Sequence, residues 1–169
     1  DALDEDVAAE AALLARVQAI RAQLLFRAGD YVRSEQMARA AQRLAEATGQ
    51  PQIARRATAS LGGALRMLMR LDEARDALSA ALASAIRDGD QRAEWVFNVN
   101  LANVENTRGD YEAAERGFRR AAELARVRGN TSGTCTSLIN LANVLSHLRR
   151  FDEGEIAAQE ALRLTHEHD

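Results

Sequence analysis

The sequence predicts an all-α protein, an α/α superhelical solenoid of four stacked helix-turn-helix hairpins. Two observations carry that expectation. Tyr31, Leu71, Tyr111 and Phe151 are evenly spaced, and so are Gly49, Gly89 and Gly129. A fixed period of about 40 residues marks helical hairpins that stack on their neighbours. The chain of 169 residues is 47% hydrophobic but only 4% aromatic, so the core is built of Ala and Leu, which lets helices approach closely. A single proline, Pro51, leaves long helices unbroken, and the scattered β-branched residues argue against strands.

The elements follow in order. The acidic opening DALDED reads as N-terminal dipole capping, ahead of a helix from about Val7 to Ala28 on Leu13, Leu14, Val17, Leu24 and Leu25 at helical spacing. Gly29-Asp30 makes a turn, Tyr31 opens a second helix to about Thr48, and Pro51 after Gly49-Gln50 suits the first position of the next. The second unit has helices from about Gln52 to Met69 and from Asp72 to Arg87, with no glycine in its turn at Arg70-Leu71. The third runs from Gln91 to Thr107 and from Tyr111 to Arg128 around Gly109-Asp110. The fourth starts after Gly129-Asn130, turns at Arg149-Arg150 and ends in a helix from Asp152 to about Thr165. One repeat domain over residues 1–169 is expected, with units of about 7–49, 50–89, 90–129 and 130–169. The chain opens on Asp1 rather than Met, so a segment of a larger protein is expected. Ile156, Leu162 and Leu164 leave the last helix with apolar surface, to be covered by further repeats, another domain or a second copy through the terminal repeats.

A net charge of -3 gives no field for nucleic acid or an anionic membrane, and no apolar run approaches the ~20 residues needed to span a bilayer. Lone Cys135 fits a reducing cytoplasm and reads as a small core residue. All 22 basic residues are Arg. His166 and His168 are too few ligands for a metal site, and no cofactor is expected. Gly62-Gly63 reads as a close helix approach rather than a phosphate loop, because no strand precedes it. Trp95 reads as a packing anchor. Cys135 and His147 lie on one helix, separated by roughly 18 Å along its axis, so they form no dyad. No catalytic set has suitable spacing.

Residues at fixed places within each unit resemble tetratricopeptide repeats. The third unit has Leu101-Ala102, Gly109-Asp110-Tyr111, Ala114, Phe118 and Ala121; the second has Leu61-Gly62, Ala74, Leu78 and Ala81. The fourth offers Leu141-Ala142, Phe151, Gly154 and Ala161, with Ala158 at the large position; the first offers Arg21-Ala22, Tyr31, Ser34, Ala38 and Ala41. The pattern departs from the family in lacking its late proline (Arg126 stands there) and its early aromatic (Asn98 or Leu138). Its period exceeds the family's usual length of about 34. The long period and the repeated Asn-Leu-Ala at 100–102 and 140–142 resemble kinesin light chains and the sensor arms of maltose-regulator-like bacterial activators.

The resemblance implies that the first helix of each unit lines a concave groove. It would expose Arg16, Ile20, Gln23, Phe26 and Arg27, then Arg56, Ser60, Gly63, Arg66 and Met67. The third unit would add Val96, Asn100, Asn103, Asn106 and Thr107, and the fourth Thr136, Asn140, Asn143, Ser146 and His147. Spacing independently puts Asn100, Asn103 and Asn106 on one helical face, and Asn140, Asn143 and His147 on another. Asn is poor inside helices, and an amide can both donate to and accept from a peptide backbone; mutual bonding that stiffens the stack is the competing explanation. Arg56 and Arg66 would favour an acidic segment, with ordinary surface charge the alternative. The expected function is non-catalytic protein or peptide binding as a scaffold or regulatory arm, or else small-ligand sensing in a bacterial regulator.

Overall fold

A computed structural model of the chain describes residues 2–167. They form eight helices: α1 (Ala2–Arg27), α2 (Tyr31–Ala47), α3 (Pro51–Met67), α4 (Leu71–Arg87), α5 (Gln91–Arg108), α6 (Tyr111–Val127), α7 (Thr131–His147) and α8 (Phe151–His166). No strand occurs among the described residues, and none of their helices is long and apolar enough to cross a membrane. Boundaries match the sequence expectation closely except at the start, where α1 begins at Ala2 rather than Val7. Asp1, His168, Asp169 and the side chains of residues 2–5 lie outside the described residues, as does the capping role expected of that opening.

From α2 onward the helices are cut to nearly the same length by a turn that recurs at even intervals. Gly29, Gly49, Gly89, Gly109 and Gly129 all have positive φ, and in the two turns without glycine Met69 (φ 59°) and Arg149 (φ 60°) take the same left-handed conformation. Each closes a helix in the six-to-one pattern that satisfies its last carbonyls: the amide of Asp30 donates to Leu25 O at 3.0 Å, that of Arg70 to Leu65 O at 2.9 Å, and that of Arg150 to Leu145 O at 2.9 Å. At four of these turns the side chain of the following residue caps the next helix, whereas those of Gln50 and Arg150 make no such bond. The side chains of Asp30, Asp90, Asp110 and Asn130 accept from the amides of Arg33, Ala93, Ala113 and Gly133, each at 3.0 Å, worth about 1 kcal/mol apiece.

Residues 1–81 form one compact unit and residues 82–169 a second. In the first, α1, α2 and α3 meet through Ala19, Ala41 and Ala57, with Ile53 beside them; these small side chains let α1 and α3 come close. Gly62 and Gly63 make the approach expected of them. A Cβ on Gly62 would sit 2.6 Å from Leu78 Cγ, and one on Gly63 3.1 Å from Phe26 Cε2. The second unit is centred on Phe118, Leu138, Leu141, Val144 and Leu145, closed by Ala102, Ala114, Ala122, Ala157 and Ala161. Burying each of its large side chains contributes about 1.5–3 kcal/mol.

The small and large positions assigned from the repeat pattern are buried at Ser34, Ala38, Ala41, Ala74, Leu78, Ala114, Phe118, Ala121, Gly154 and Ala161. Other pattern positions differ: Ala81 is only half-buried, and Ala158 and Phe151 are exposed, as are Ile156 and Leu162. Among the described residues no helix follows α8 to cover that side.

Candidate functional site

The six site residues of the second unit lie on its two leading helices. On α5, Asn100, Asn103 and Asn106 are half-buried; on α7, Asn140 is half-buried while Asn143 and His147 are exposed. Asn100 donates its Nδ2 back to Val96 O at 3.0 Å, and Asn98 does the same to Glu94 O at 2.9 Å. Such bonds tie the amide nitrogen to its own helix and leave the Oδ1 lone pairs for another donor. The side-chain amides of Asn103, Asn140 and Asn143 have no hydrogen-bond partner among the described residues, and Asn106 Oδ1 is buried without one. The mutual bonding that would stiffen the stack is therefore not what these amides do here. His147 stacks on Tyr111, ring centres 4.6 Å apart and planes 6° from parallel.

Trp95 sets the spacing of α5 and α7. Its Nε1 donates to Ser137 Oγ at 3.4 Å, and a Cβ on Gly133 would lie 3.1 Å from its Cζ2 and collide with Asn130. Where α1 and α3 touch through alanines, an indole stands between α5 and α7, and these two do not approach as closely. The packing role expected of Trp95 is what it performs. Cys135 is half-buried on α7, with its Sγ 3.5 Å from Ala161 O.

The two arginines of the candidate site belong to the first unit, on α3: Arg56 is exposed and Arg66 half-buried. Arg56 lines a basin of about 490 Å³ with Arg16, Ala19, Ile20, Gln50, Pro51, Gln52 and Ile53. Arg16 and Arg56 occupy equivalent places in successive hairpins, and neither is in an ion pair among the described residues. Two free guanidiniums over an Ile and Ala floor make a site for an anion that carries an apolar group.

Four other arginines are committed to carboxylates, in an arrangement that occurs twice. Arg70 bridges Glu35 at 2.8 Å and Glu73 at 2.7 Å, and Arg39 bridges Glu35 at 2.9 Å and Glu73 at 3.2 Å. Two hairpins on, Arg150 bridges Glu115 at 2.6 Å and Glu153 at 2.7 Å, and Arg119 bridges the same two at 2.8 and 3.1 Å. Each closed ring of four charges ties α2 to α4 or α6 to α8. Hydrogen bonds from Arg70 hold the Glu73 carboxyl below its usual range, and Arg150 does the same to Glu153. Reading the charges one helix at a time misses these rings; the signal is Glu-x-x-x-Arg at 35–39 and 115–119 with Arg-x-x-Glu at 70–73 and 150–153. No group of three or more His, Cys, Asp or Glu residues among the described residues could hold a metal ion.

Capped helical hairpins of equal length, with polar residues at matched places on the leading helices, define a helical-repeat protein. The comparisons agree, and the resemblance read from the sequence holds: residues 92–165 match the tetratricopeptide repeat family model. No curated protein matches the sequence. Among solved structures, BtubC (BKLC) from P. vanneervenii is similar with a TM-score of 0.80 at 20% identity, over 92% of this chain and 65% of that one. A Rap protein complexed with Competence and Sporulation Factor gives 0.84 at 17%, over 95% and 44%, and the apo form of RapI gives 0.79 at 12%, over 91% and 43%. At these identities the likeness is one of fold, and the chain spans between 43% and 65% of the length of these proteins.

Proposed function

We propose that the chain is a non-catalytic binding module, the scaffold or regulatory part of a larger cytoplasmic protein, and that it holds an extended protein segment against α5 and α7. The observation that carries this is the set of side-chain amides on those helices with unused hydrogen-bonding groups: Asn103, Asn140 and Asn143. An extended backbone offers an N–H and a C=O at each residue, which is what a row of amides can pair with whatever the side chains. Similarity to a Rap protein solved with Competence and Sporulation Factor supports a partner held by such a fold. Within the first unit, Arg56 and Arg66 on α3 would by themselves favour an acidic segment.

The test is selection from a displayed random-peptide library with the purified chain as bait. Enriched peptides should bind the parent and lose about tenfold or more in affinity with Asn103→Ala and Asn143→Ala together, the cost of about 1.4 kcal/mol in lost pairing; helicity should be unchanged. Peptides that bind the double variant as well as the parent sink this reading. The Arg16–Arg56 basin supports a second reading, sensing of a small anion with an apolar body, whose mark is a thermal shift with organic acids when no peptide is present.

A further inference from the structure

Helix α1 is apolar on two opposite sides. Ala15, Ala19 and Ala22 are buried. Leu13, Val17, Ile20 and Leu24 point the other way and remain 59%, 42%, 47% and 58% exposed. Their spacing of four, three and four is that of a helix seam that packs knobs into holes against another helix. A helix that is apolar on both sides belongs between two partners, and α2 and α3 cover only one.

The ends of the stripe say what covers the other. Continuing the same spacing in both directions leads to Glu10 and Arg27, both exposed and neither in an ion pair among the described residues. The two are opposite in charge and lie at opposite ends. A second α1 running antiparallel brings Leu13 over Leu24, Val17 over Ile20, and Glu10 over Arg27, at both ends by symmetry. On the flanks, the same register sets Leu14 beside Arg21 and Arg16 beside Gln23, with no like-charge pair. A parallel pair would instead set Glu10 on Glu10 and Arg27 on Arg27, which repel.

We propose that α1 is a self-association surface, through which two copies of the chain pair antiparallel along Leu13, Val17, Ile20 and Leu24 with Glu10 of each opposite Arg27 of the other. The pairing is independent of the amides on α5 and α7, so failure of either idea leaves the other standing.

The experiment is sedimentation equilibrium of the whole chain from about 5 to about 300 µM, a range matched to an interface below standard size. A monomer–dimer equilibrium is expected. Leu13→Glu with Leu24→Glu should keep the chain monomeric throughout, with the same circular dichroism. Glu10→Arg alone and Arg27→Glu alone should each weaken the dimer about fivefold or more. The two combined should return it to near the parent value. These charge changes sit on exposed positions, so they test the pairing even if the leucine variant folds poorly. A parent that stays monomeric at the highest concentration overturns the proposal and gives the stripe to a different segment. So does a dimer indifferent to the leucine changes, or single charge changes that the combination fails to rescue.

Discussion

Gly62 and Gly63 are neighbours on one helix, yet the packing around them predicts opposite responses to the same change. In a helix interior Gly→Ala gains about 1 kcal/mol from backbone entropy and hydration alone. At Gly62 the new methyl would sit 2.6 Å from both Cγ and Cδ2 of Leu78, and Leu78 is fully buried, so it has nowhere to move. Overpacking of this kind costs about 1–3 kcal/mol, which offsets or exceeds the gain. At Gly63 the new methyl meets only the edge of the Phe26 ring, at 3.1 Å; that ring is only partly buried, its aromatic neighbour Tyr31 lying 5.6 Å away centre to centre, and it can shift by a few tenths of an ångström, so the gain survives. Each kcal/mol moves the melting temperature of a chain this size by about 2–4 °C. Melting followed by far-ultraviolet circular dichroism should therefore rank Gly63→Ala at or above the parent, and Gly62→Ala below it. The penalty at Gly62 should also be coupled to its cause: Leu78→Ala removes the obstructing atoms, so the double variant should be more stable than the sum of the single changes by about 0.5–3 kcal/mol. If Gly62→Ala melts above Gly63→Ala, the packing argument for this pair is wrong.

Met69→Gly and Arg149→Gly should each raise the melting temperature, because a left-handed φ costs an L-residue about 1 kcal/mol or more that glycine does not bear; a change to glycine at exposed Arg43, in the interior of α2, should lower it. The charge rings set an acid dependence. Glu73 and Glu153 have carboxyls held below their unfolded range, so what they add to stability is present above the unfolded carboxylate pKa of about 4.3 and is lost as pH falls through the folded value. The gap in melting temperature between the parent and a Glu73→Gln, Glu153→Gln variant should accordingly be open at pH 7 and close below about pH 4; a gap that stays constant to acid pH would show that the rings contribute nothing through charge.

The even period made the helices legible because it is carried by residues with no substitute at their task. A left-handed turn is cheapest at glycine, and five of the seven turns have one. The turns at Met69 and Arg149 were not legible for the same reason, since nothing in a Met or an Arg announces positive φ; only their place in the rhythm of the turns does. The early start of α1 was hidden by its composition: an acidic stretch with few apolar residues looks the same whether it caps a helix or begins one. The candidate site was half legible. Spacing placed Asn100, Asn103 and Asn106 on one face, but whether an amide turns back on its own helix, as at Asn100, or stays open, as at Asn103, depends on its rotamer and its neighbours. The Trp95 indole between α5 and α7 is likewise a fact of three dimensions, because its partners Gly133 and Ser137 lie a whole hairpin further along the chain.

The rings also show a longer period than the hairpin. Glu35, Arg39, Arg70 and Glu73 recur at 115, 119, 150 and 153; one hairpin on, at 75, 79, 110 and 113, stand Arg75, Ser79, Asp110 and Ala113. The chain is thus written in double hairpins as well as in single ones. An isolated surface ion pair is worth little because two long side chains must be held still for it. In a ring each guanidinium serves two carboxylates, so the ordering of one side chain supports two bonds. Glu35 and Glu115, each only 13% exposed, anchor the rings where solvent screens them least. Charge networks of this kind fix which helix lies beside which more than they add stability, and here they fix α4 beside α2 and α8 beside α6. The rings draw on none of the side-chain amides of α5 and α7 and on neither Arg16 nor Arg56, so although Glu94 of α5 is held by Arg120 at 2.8 Å, those amides and these two arginines stay open to a binding partner.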